Sequence, residues 1–573
     1  MISKRWTLRP FTHTKKEVES LANSLGIDNT LAELLILRGV ENFEEAKHFF
    51  RPSLNDLHDP FLMKDMDVAV DRLLLAIEKK ETIMIFGDYD VDGTTAVALV
   101  YGFLKIYYDK LIYYNPDRYK EGYGISTIGI DHAKESDVTL IIALDCGIKS
   151  IDKIDYAKQL GIDFIICDHH EPGSELPQAV AVLDPKRKDC PYPFKELTGN
   201  GVGFKLLTAF CDRRQIAIEK LYEWLDLVMV SIASDIVPIV GENRILAHFG
   251  LKKINENPRI GLRALKEVAG FNGEMSIESV VFTLGPRINA AGRIKHAKAA
   301  VQLMLSEDYD QAIQFAHEIQ KHNLERRDFD SNITEEALAM INEDAWLANE
   351  AVSTVLFKND WHKGVIGIVA SRCIEHFYRP TVIFTQTKEN FATGSARSVS
   401  GFNLYNAIES CSHLLEQYGG HAHAAGMTIP VENIAPFRQH FNEYVAQHIL
   451  DEQKTPKIDI DIEVLLDELT PKFYRIMKQM GPFGPQNMQP VFLAKKVSLA
   501  AEPRILKEKH LKLEVLDENS GVTMTALGFN MKEYCYVQLM RNKYFDIAFS
   551  LEENNFRDQK TLQLFLKDVR FDA

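Results

Sequence analysis

Between Thr82 and Thr95 the chain runs Thr-Ile-Met-Ile-Phe-Gly straight into Asp-Tyr-Asp-Val-Asp-Gly-Thr-Thr. Thr82 to Phe86 is an apolar run of the length of one buried strand, and Gly87 stops it. Asp88, Asp90 and Asp92 follow at alternate positions. After Gly93 the stretch AVALVYGFLKIYY repeats apolar residues at helical spacing. Strand, tight acidic turn and helix make the first half of a βαβ unit. Three carboxylates on one turn repel each other unless a cation neutralises them, so the turn reads first as a divalent metal site with oxygen ligands. Two other readings compete. An EF-hand loop opens with the same D-x-D-x-D-G, but wants a bidentate Glu at its twelfth position, where this chain has Leu99, and a helix before it. A helix cap needs one aspartate rather than three.

The 573 residues suggest roughly three to four domains. Residues 1–60 read as an N-terminal helical cap. From 61 to 300 apolar strands alternate with helices: KLIYYNPDR, VTLIIALDCG, DFIICDHH and QAVAVLDP are strands, with helices between them. That alternation predicts a mostly parallel sheet covered on both faces. Residues 301–345 are polar and largely free of breakers, which predicts a long connecting helix. A second α/β unit spans 346–453. From 454 to 573 five short strands with charged turns suggest a small barrel of the OB type. The expected fold class is α/β, with two α/β domains joined by a long helix and followed by an OB-type β-barrel.

No apolar run approaches the ~20 residues of a membrane helix, and MISKRWTLRPFTHTKK lacks the apolar stretch of a signal peptide. Seven scattered cysteines with no CxxC pair argue for reduced thiols in the cytoplasm and against a zinc knuckle or disulfide frame. The net charge of −15 excludes a generic basic nucleic-acid binder. Nucleic acid would have to bind through a local positive groove or through metal ions.

Four more sites share the logic of the acidic turn. Asp145 follows the strand VTLIIAL, Asp168-His169-His170 follow FIIC, Asn115-Pro116-Asp117-Arg118 follow KLIYY, and Asp235 ends LVMVSIASD. In an open α/β sheet the C-terminal ends of parallel strands converge on the binding crevice. Asp88, Asp90, Asp92, Asp145, His169, His170 and Asp235 are therefore expected to meet. Such a carboxylate-rich set with imidazoles suits two ions of Mn²⁺ or Mg²⁺, with one carboxylate free to bridge both. Two ions ~3.5–4 Å apart are a common device for phosphoryl displacement. Any one of these residues alone reads more readily as structural.

DYDVDGTT, DCG, DHH and SDIVP together resemble the motifs of the DHH phosphoesterase superfamily. The series continues through GPRINAAGRI (285–294), WHKGVIGIVASR (361–372), GSARS (394–398) and GGHAHAAG (419–426). In that order it resembles the branch of single-strand-specific 5′→3′ DNA exonucleases that carries both DHH and DHHA1 domains. Phe86 stands where the superfamily's small pyrophosphatases place a histidine, which favours the nuclease branch. The resemblance implies that Asp90, Asp92, Asp145, His169 and Asp235 ligate metal, with Asp145 as the bridge and Asp88 a ligand or just behind one. It implies that Asp168 orients the imidazoles and that His170 contacts the scissile phosphate. It assigns Arg118, Arg287, Asn289, Arg293, Ser395, Arg397, His421 and His423 to substrate, the arginines as phosphate forks, with Gly394 and Ser398 beside them.

The resemblance also implies work on single-stranded DNA beside a RecQ-type helicase and a single-strand-binding protein, by a monomer. Two α/β domains joined by a helix would leave a cleft narrow enough to admit one strand and exclude duplex. Arg397 and the GGHAHAAG turn would hold the 5′ end, and the barrel would grip the strand through Lys495, Lys496, Lys507, Lys509 and Lys512. A phosphodiesterase for short oligonucleotides or cyclic dinucleotides competes with this reading, but such chains are usually shorter and lack the barrel. A non-catalytic nucleic-acid scaffold also competes, but every ligand position is intact.

Overall fold

The computed structural model describes residues 4–294, 298–556 and 559–571. The run at Thr82 is a strand enclosed on both faces: Ile83, Met84, Ile85 and Phe86 are all fully buried. It forms β1 (Thr82–Gly87), alongside β2 (Leu111–Tyr114), β3 (Val138–Leu144), β4 (Asp163–Cys167) and β5 (Ala181–Leu183). All pairings are parallel, in the order β2-β1-β3-β4-β5. Side chains alternate across a strand, and here they divide between two cores. Ile83, Ile85, Leu140, Ile142 and Ile165 pack into one. Met84, Phe86, Ile141, Ala143 and Ile166 pack into the other. The strand order reverses between β1 and β3. That is the topological switch point, where the loops after neighbouring strands part and leave a crevice.

Four helices frame this crevice. α1 (Val91–Lys105) follows the acidic turn and is buried along its whole first half. α2 (Gly199–Arg214) and α3 (Leu225–Ser234) pack against it and are almost wholly buried. α4 (Gly285–Ile294) follows a π-helical turn at Val280–Leu284. These elements belong to a compact unit of residues 44–325 with 479–489. The late segment is tied in by Ile239 N donating to Pro485 O (2.8 Å) and Arg244 Nη2 donating to Gly481 O (2.8 Å).

The second unit comprises residues 4–43, 326–478 and 490–571. Its mixed sheet orders strands Gln417–Gly420, Ala424–Pro430, Phe391–Arg397, Thr381–Lys388 and Thr354–Phe357, with only the last pair parallel. Further on, Phe492–Leu499, Phe545–Phe556, Gln559–Arg570, Thr523–Gly528 and His510–Asp517 pair in that order. Phe492–Leu499 also pairs with His510–Asp517, which closes a five-stranded barrel. Ile462–Glu463 and Arg504–Leu506 flank it. The alternating burial of His510–Asp517 is the pattern of one face turned inward.

Two observations differ from the sequence reading. The N-terminal region is helical at Lys15–Leu25, Asn29–Ile36 and Phe43–Phe50, but Arg5–Leu8 is a strand, paired in parallel with Lys457–Ile460. Four residues are too few to carry a periodicity, and the partner is remote in sequence. The connecting helix is also interrupted, as Lys298–Leu305 and then Tyr309–Glu343. Ser306 follows the first, its hydroxyl donating back to Gln302 O (2.7 Å), and Asp308 caps the second, its carboxylate accepting from Gln311 N (2.8 Å). Among the described residues all seven cysteines are free and buried, and no helix is long and apolar enough to cross a membrane.

Candidate metal centre and strand-binding residues

The acidic turn is held from several sides. Asp90 caps α1, its Oδ1 accepting from Gly93 N (3.0 Å). Asn115, at the end of β2, donates through Nδ2 to the carbonyls of Gly87 and Asp88 (3.0 and 2.9 Å). Asp92, in the first turn of α1, points at the start of α2. It accepts from Gly199 N (2.7 Å), Asn200 N (2.9 Å) and the Ser231 hydroxyl on α3 (2.7 Å). The free N–H groups of a helix start suit a carboxylate there. Gly199 also lets the start of α2 come close to Asp145, since a Cβ on it would lie 2.5 Å from Asp145 Cβ.

Asp145 follows β3 in the left-handed region at φ 59°, which aspartate tolerates better than most residues. Its N donates to Cys167 O (2.9 Å), so the ends of β3 and β4 stay in register. Asp168, His169 and His170 leave β4, and Asp235 terminates α3. His169 Nε2 then lies 3.2 Å from Asp145 Oδ1, 3.6 Å from Asp235 Oδ2 and 3.7 Å from Asp92 Oδ2. Donor atoms of Asp92, His169 and Asp235 all lie within 4.8 Å of one another, as do those of Asp145, His169 and His170. His169 is shared by the two sets.

The electrostatics are those of a place that needs positive charge. Burial, then the charges of neighbouring aspartates, pushes Asp145, Asp235 and Asp88 well above the carboxylate range. Burial and the Asp90 charge push Asp92 up to about 6. Burial, with His170 nearby, lowers His169 to about 3, so its imidazole is neutral. The His169 ring bonds the Leu197 backbone, while Nε2 is buried without a hydrogen bond, as is Asp88 Oδ2. A neutral imidazole whose free nitrogen faces three carboxylates is a fitting donor set for divalent cations.

Asp168 plays a different part. Its Oδ1 accepts from His170 Nδ1 (2.7 Å) and from the backbone N of His169 (2.8 Å), and its Oδ2 accepts from Ile148 N (2.9 Å). Burial alone would raise its carboxyl, but the His170 bond and charge bring it down to about 2. Burial works against the His170 cation, yet Asp168 holds it at about 9. His170 is thus a half-exposed imidazolium beside the cluster. Asp168 orients this one ring only, since the His169 ring is fixed by Leu197.

Asp92, Asp145, His169, His170 and Asp235 come together as expected. Asp88 and Asp90 lie on the same turn but outside the two donor sets, and the Asp90 charge still bears on Asp88, Asp92, Asp145 and Asp235. Around them, Arg118 lies over the Tyr89 ring (4.8 Å). Arg287 is buried, with Nε donating to Gln320 Oε1 (2.8 Å) and Nη1 to Thr283 O (2.6 Å). Asn289 is half-buried on α4. The Arg293 side chain lies outside the described residues.

In the other unit Arg397 pairs in register with Ala424, which brings the GSARS strand beside the GGHAHAAG turn. Arg397 Nη1 donates to Ser395 Oγ (3.1 Å), and both side chains face the start of helix Ile366–His376. A Cβ on Gly367 there would meet them at 2.7 and 2.8 Å. Ser398 N donates to His423 O (3.0 Å), and exposed His421 and His423 lie with ring centres 6.0 Å apart. The barrel lysines are less uniform than expected. Lys495 is engaged by Glu463 (2.6 Å) and Lys496 lies near the Tyr544 ring (5.5 Å), whereas Lys507 and Lys509 stand on an exposed turn and Lys512 is half-buried.

Three participants escape a reading of the sequence. Ser231 sits one helical turn before Asp235, a spacing that could have flagged it. The hydroxyl of Tyr123 lies 3.1 Å from His170 Nε2. Asp184 directly follows β5, so the strand-end rule applies to it as well. Its Oδ2 is buried without a partner, and burial, with the Asp168 charge, pushes its carboxyl up to about 7.

Sequence models of three families match the chain: the DHH family N-terminal domain over residues 82–232, the DHHA1 domain over 348–447 and the RecJ OB domain over 460–568. The single-stranded-DNA-specific exonuclease RecJ of Bacillus subtilis is 37% identical over 569 residues, 99% of this chain and 70% of that one. RecJ of Escherichia coli is 30% identical, over 97% of this chain and 98% of its own. Among solved structures, RecJ of Thermus thermophilus in complex with Mn²⁺ superposes with a TM-score of 0.85 at 26% identity, covering 99% of this chain and 80% of that one.

Proposed function

The chain belongs to the RecJ family of single-stranded-DNA-specific exonucleases, and from that membership we infer that it hydrolyses phosphodiesters at the end of a DNA strand with two divalent cations. It is a metal-dependent exonuclease acting on single-stranded DNA, with Mn²⁺ or Mg²⁺ as cofactor. The observation that carries the two-cation reading is the His169 Nε2 atom, buried without a hydrogen bond among Asp92, Asp145 and Asp235. Bound cations supply an activated water and stabilise the leaving oxygen.

The chain's residues do the rest. Asp90, Asp92, Asp145, His169 and Asp235 would hold the two ions. Asp88 would be a further ligand or stand just behind one. The His170 imidazolium, held by Asp168, faces the phosphate and balances charge that builds up as the bond breaks. Arg118, Arg287, Asn289 and Arg293 steady the strand's backbone. Ser395, Arg397, His421 and His423 receive a terminal 5′-phosphate, which sets the direction as 5′→3′. In this scheme 61–300 is the catalytic domain, 301–345 the connector, 346–453 the DHHA1 domain and 454–573 the nucleic-acid-binding barrel. The enzyme works in the cytoplasm as a monomer, beside a RecQ-type helicase and a single-strand-binding protein.

The test is a single-stranded oligonucleotide labelled at either end, with Mn²⁺ and with chelator. Stepwise loss of mononucleotides from the 5′ end in Mn²⁺ only is the expected result. Cleavage confined to di- and trinucleotides, or binding without cleavage, would overturn it. Arg397→Ala should weaken cutting of 5′-phosphorylated strands at unchanged Mn²⁺ affinity. Equal loss on phosphorylated and unphosphorylated ends would remove Arg397 from the end pocket.

A further inference from the structure

Ile236, the residue after Asp235, sits in the left-handed region at φ 59°. A β-branched side chain is strained there, and glycine or asparagine is the usual occupant. Packing does not offset the strain, because Ile236 is 64% exposed. Strain and solvent-exposed apolar surface thus coincide at one position, directly beside a candidate metal ligand. Strained residues of this kind cluster at sites where a ligand completes the environment.

Its place in the site says which part of a ligand it would meet. Asp235 Oδ2 lies 3.6 Å from His169 Nε2, so Ile236 follows directly on a residue of the cluster. Tyr123 borders His170, 56% exposed, with its hydroxyl 3.1 Å from His170 Nε2. The π-turn Val280–Leu284 packs against α3 and carries Phe282, 72% exposed. Exposed apolar side chains thus stand on the elements that carry or adjoin the acidic cluster. Phosphate finds no donor on an isoleucine, whereas the flat face of a nucleobase or its sugar does find a contact there.

Resting on the exonuclease reading above, we propose that Ile236 packs against the base of the nucleotide whose phosphodiester is cut, and so selects an unpaired, unstacked base. A base inside a duplex has its faces covered by its neighbours and offers this side chain nothing.

The experiment compares wild type, Ile236→Asn and Ile236→Leu on single strands carrying either normal bases or one abasic residue at the first, second or third position from the cut end. Asparagine keeps the left-handed backbone and removes the apolar surface. Leucine keeps the apolar surface. Wild type should show KM about ten-fold higher on the abasic strand at the contacted position. Ile236→Asn should lose that discrimination, its KM on normal strands rising to the wild-type abasic value, with Mn²⁺ affinity and Tm not lowered. Ile236→Leu should keep it. If Ile236→Asn discriminates as wild type does, or if wild type ignores the missing base at all three positions, the inference is overturned while the exonuclease reading stands. A wild-type protein that cuts no strand overturns that reading, and this inference with it.

Discussion

At the scale of single residues the site is a contrast between two adjacent histidines. Burial keeps His169 neutral, while Asp168 keeps His170 charged at about 9. Asp168→Asn should cut kcat about 10- to 100-fold with Mn²⁺ affinity changed only a few-fold, a split read by titration calorimetry beside steady-state kinetics. Equal loss of both would make Asp168 a metal ligand instead. Ser231→Ala leaves Asp92 one donor short and should cost about 1 kcal/mol of stability, seen as a lower denaturant midpoint. The carboxylates and histidines are legible in the sequence because each follows an apolar strand or ends an apolar helix. Leu197 is not, and Ser231 is hinted at only by its spacing from Asp235, because a hydroxyl and a carbonyl become partners through tertiary contacts. Ser231 reaches Asp92 across 139 positions of sequence.

At the scale of elements, strands enclosed on both faces are the most legible. β1 reads as an unbroken apolar run because both sides of the sheet are covered. The N-terminal strand is illegible, since its strand partner among the described residues is the remote Lys457–Ile460. The barrel is recognisable by its count of short strands, but its closure through Phe492–Leu499 and His510–Asp517 leaves no local trace. A turn in that barrel offers a test by pH. Asp517 accepts from Leu466 N (2.9 Å), Asn519 N (2.9 Å) and Ser520 Oγ (2.8 Å). Burial opposes these bonds, but they hold its carboxyl below its ordinary 3.8. A group depressed on folding contributes stability that is full above the ordinary value and lost as pH falls through the lower, folded one. Asp517→Asn should therefore lower Tm at neutral pH and flatten its dependence on pH below about 4. A variant whose acid limb matches wild type would show that Asp517 is not part of it.

At the scale of the whole molecule, the chain carries a net charge of −15 and a buried acidic cluster that its own groups do not neutralise. Mn²⁺ should raise Tm, with about 2.7 kcal/mol of stabilisation at a hundred times its dissociation constant, and chelator should reverse it. Asp145→Asn should show a smaller rise by scanning fluorimetry. Affinity for a single strand should still fall steeply with salt, because each phosphate neutralised by a local cation releases counterions whatever the overall charge. A salt-independent affinity would mean that the barrel lysines and motif arginines are not in contact with the backbone.

The pairing of Arg5–Leu8 with Lys457–Ile460 also sets an order of events during synthesis. Lys457 emerges 452 residues after its partner Arg5, which at ordinary elongation rates is roughly 20 to 90 s. By then residues 44–325 have left the ribosome, and the parallel sheet with its acidic cluster can assemble. A strand made early is thus satisfied late. A nascent chain that stalls anywhere before residue 457 therefore carries a bare strand edge at its front, open to pairing with a neighbour.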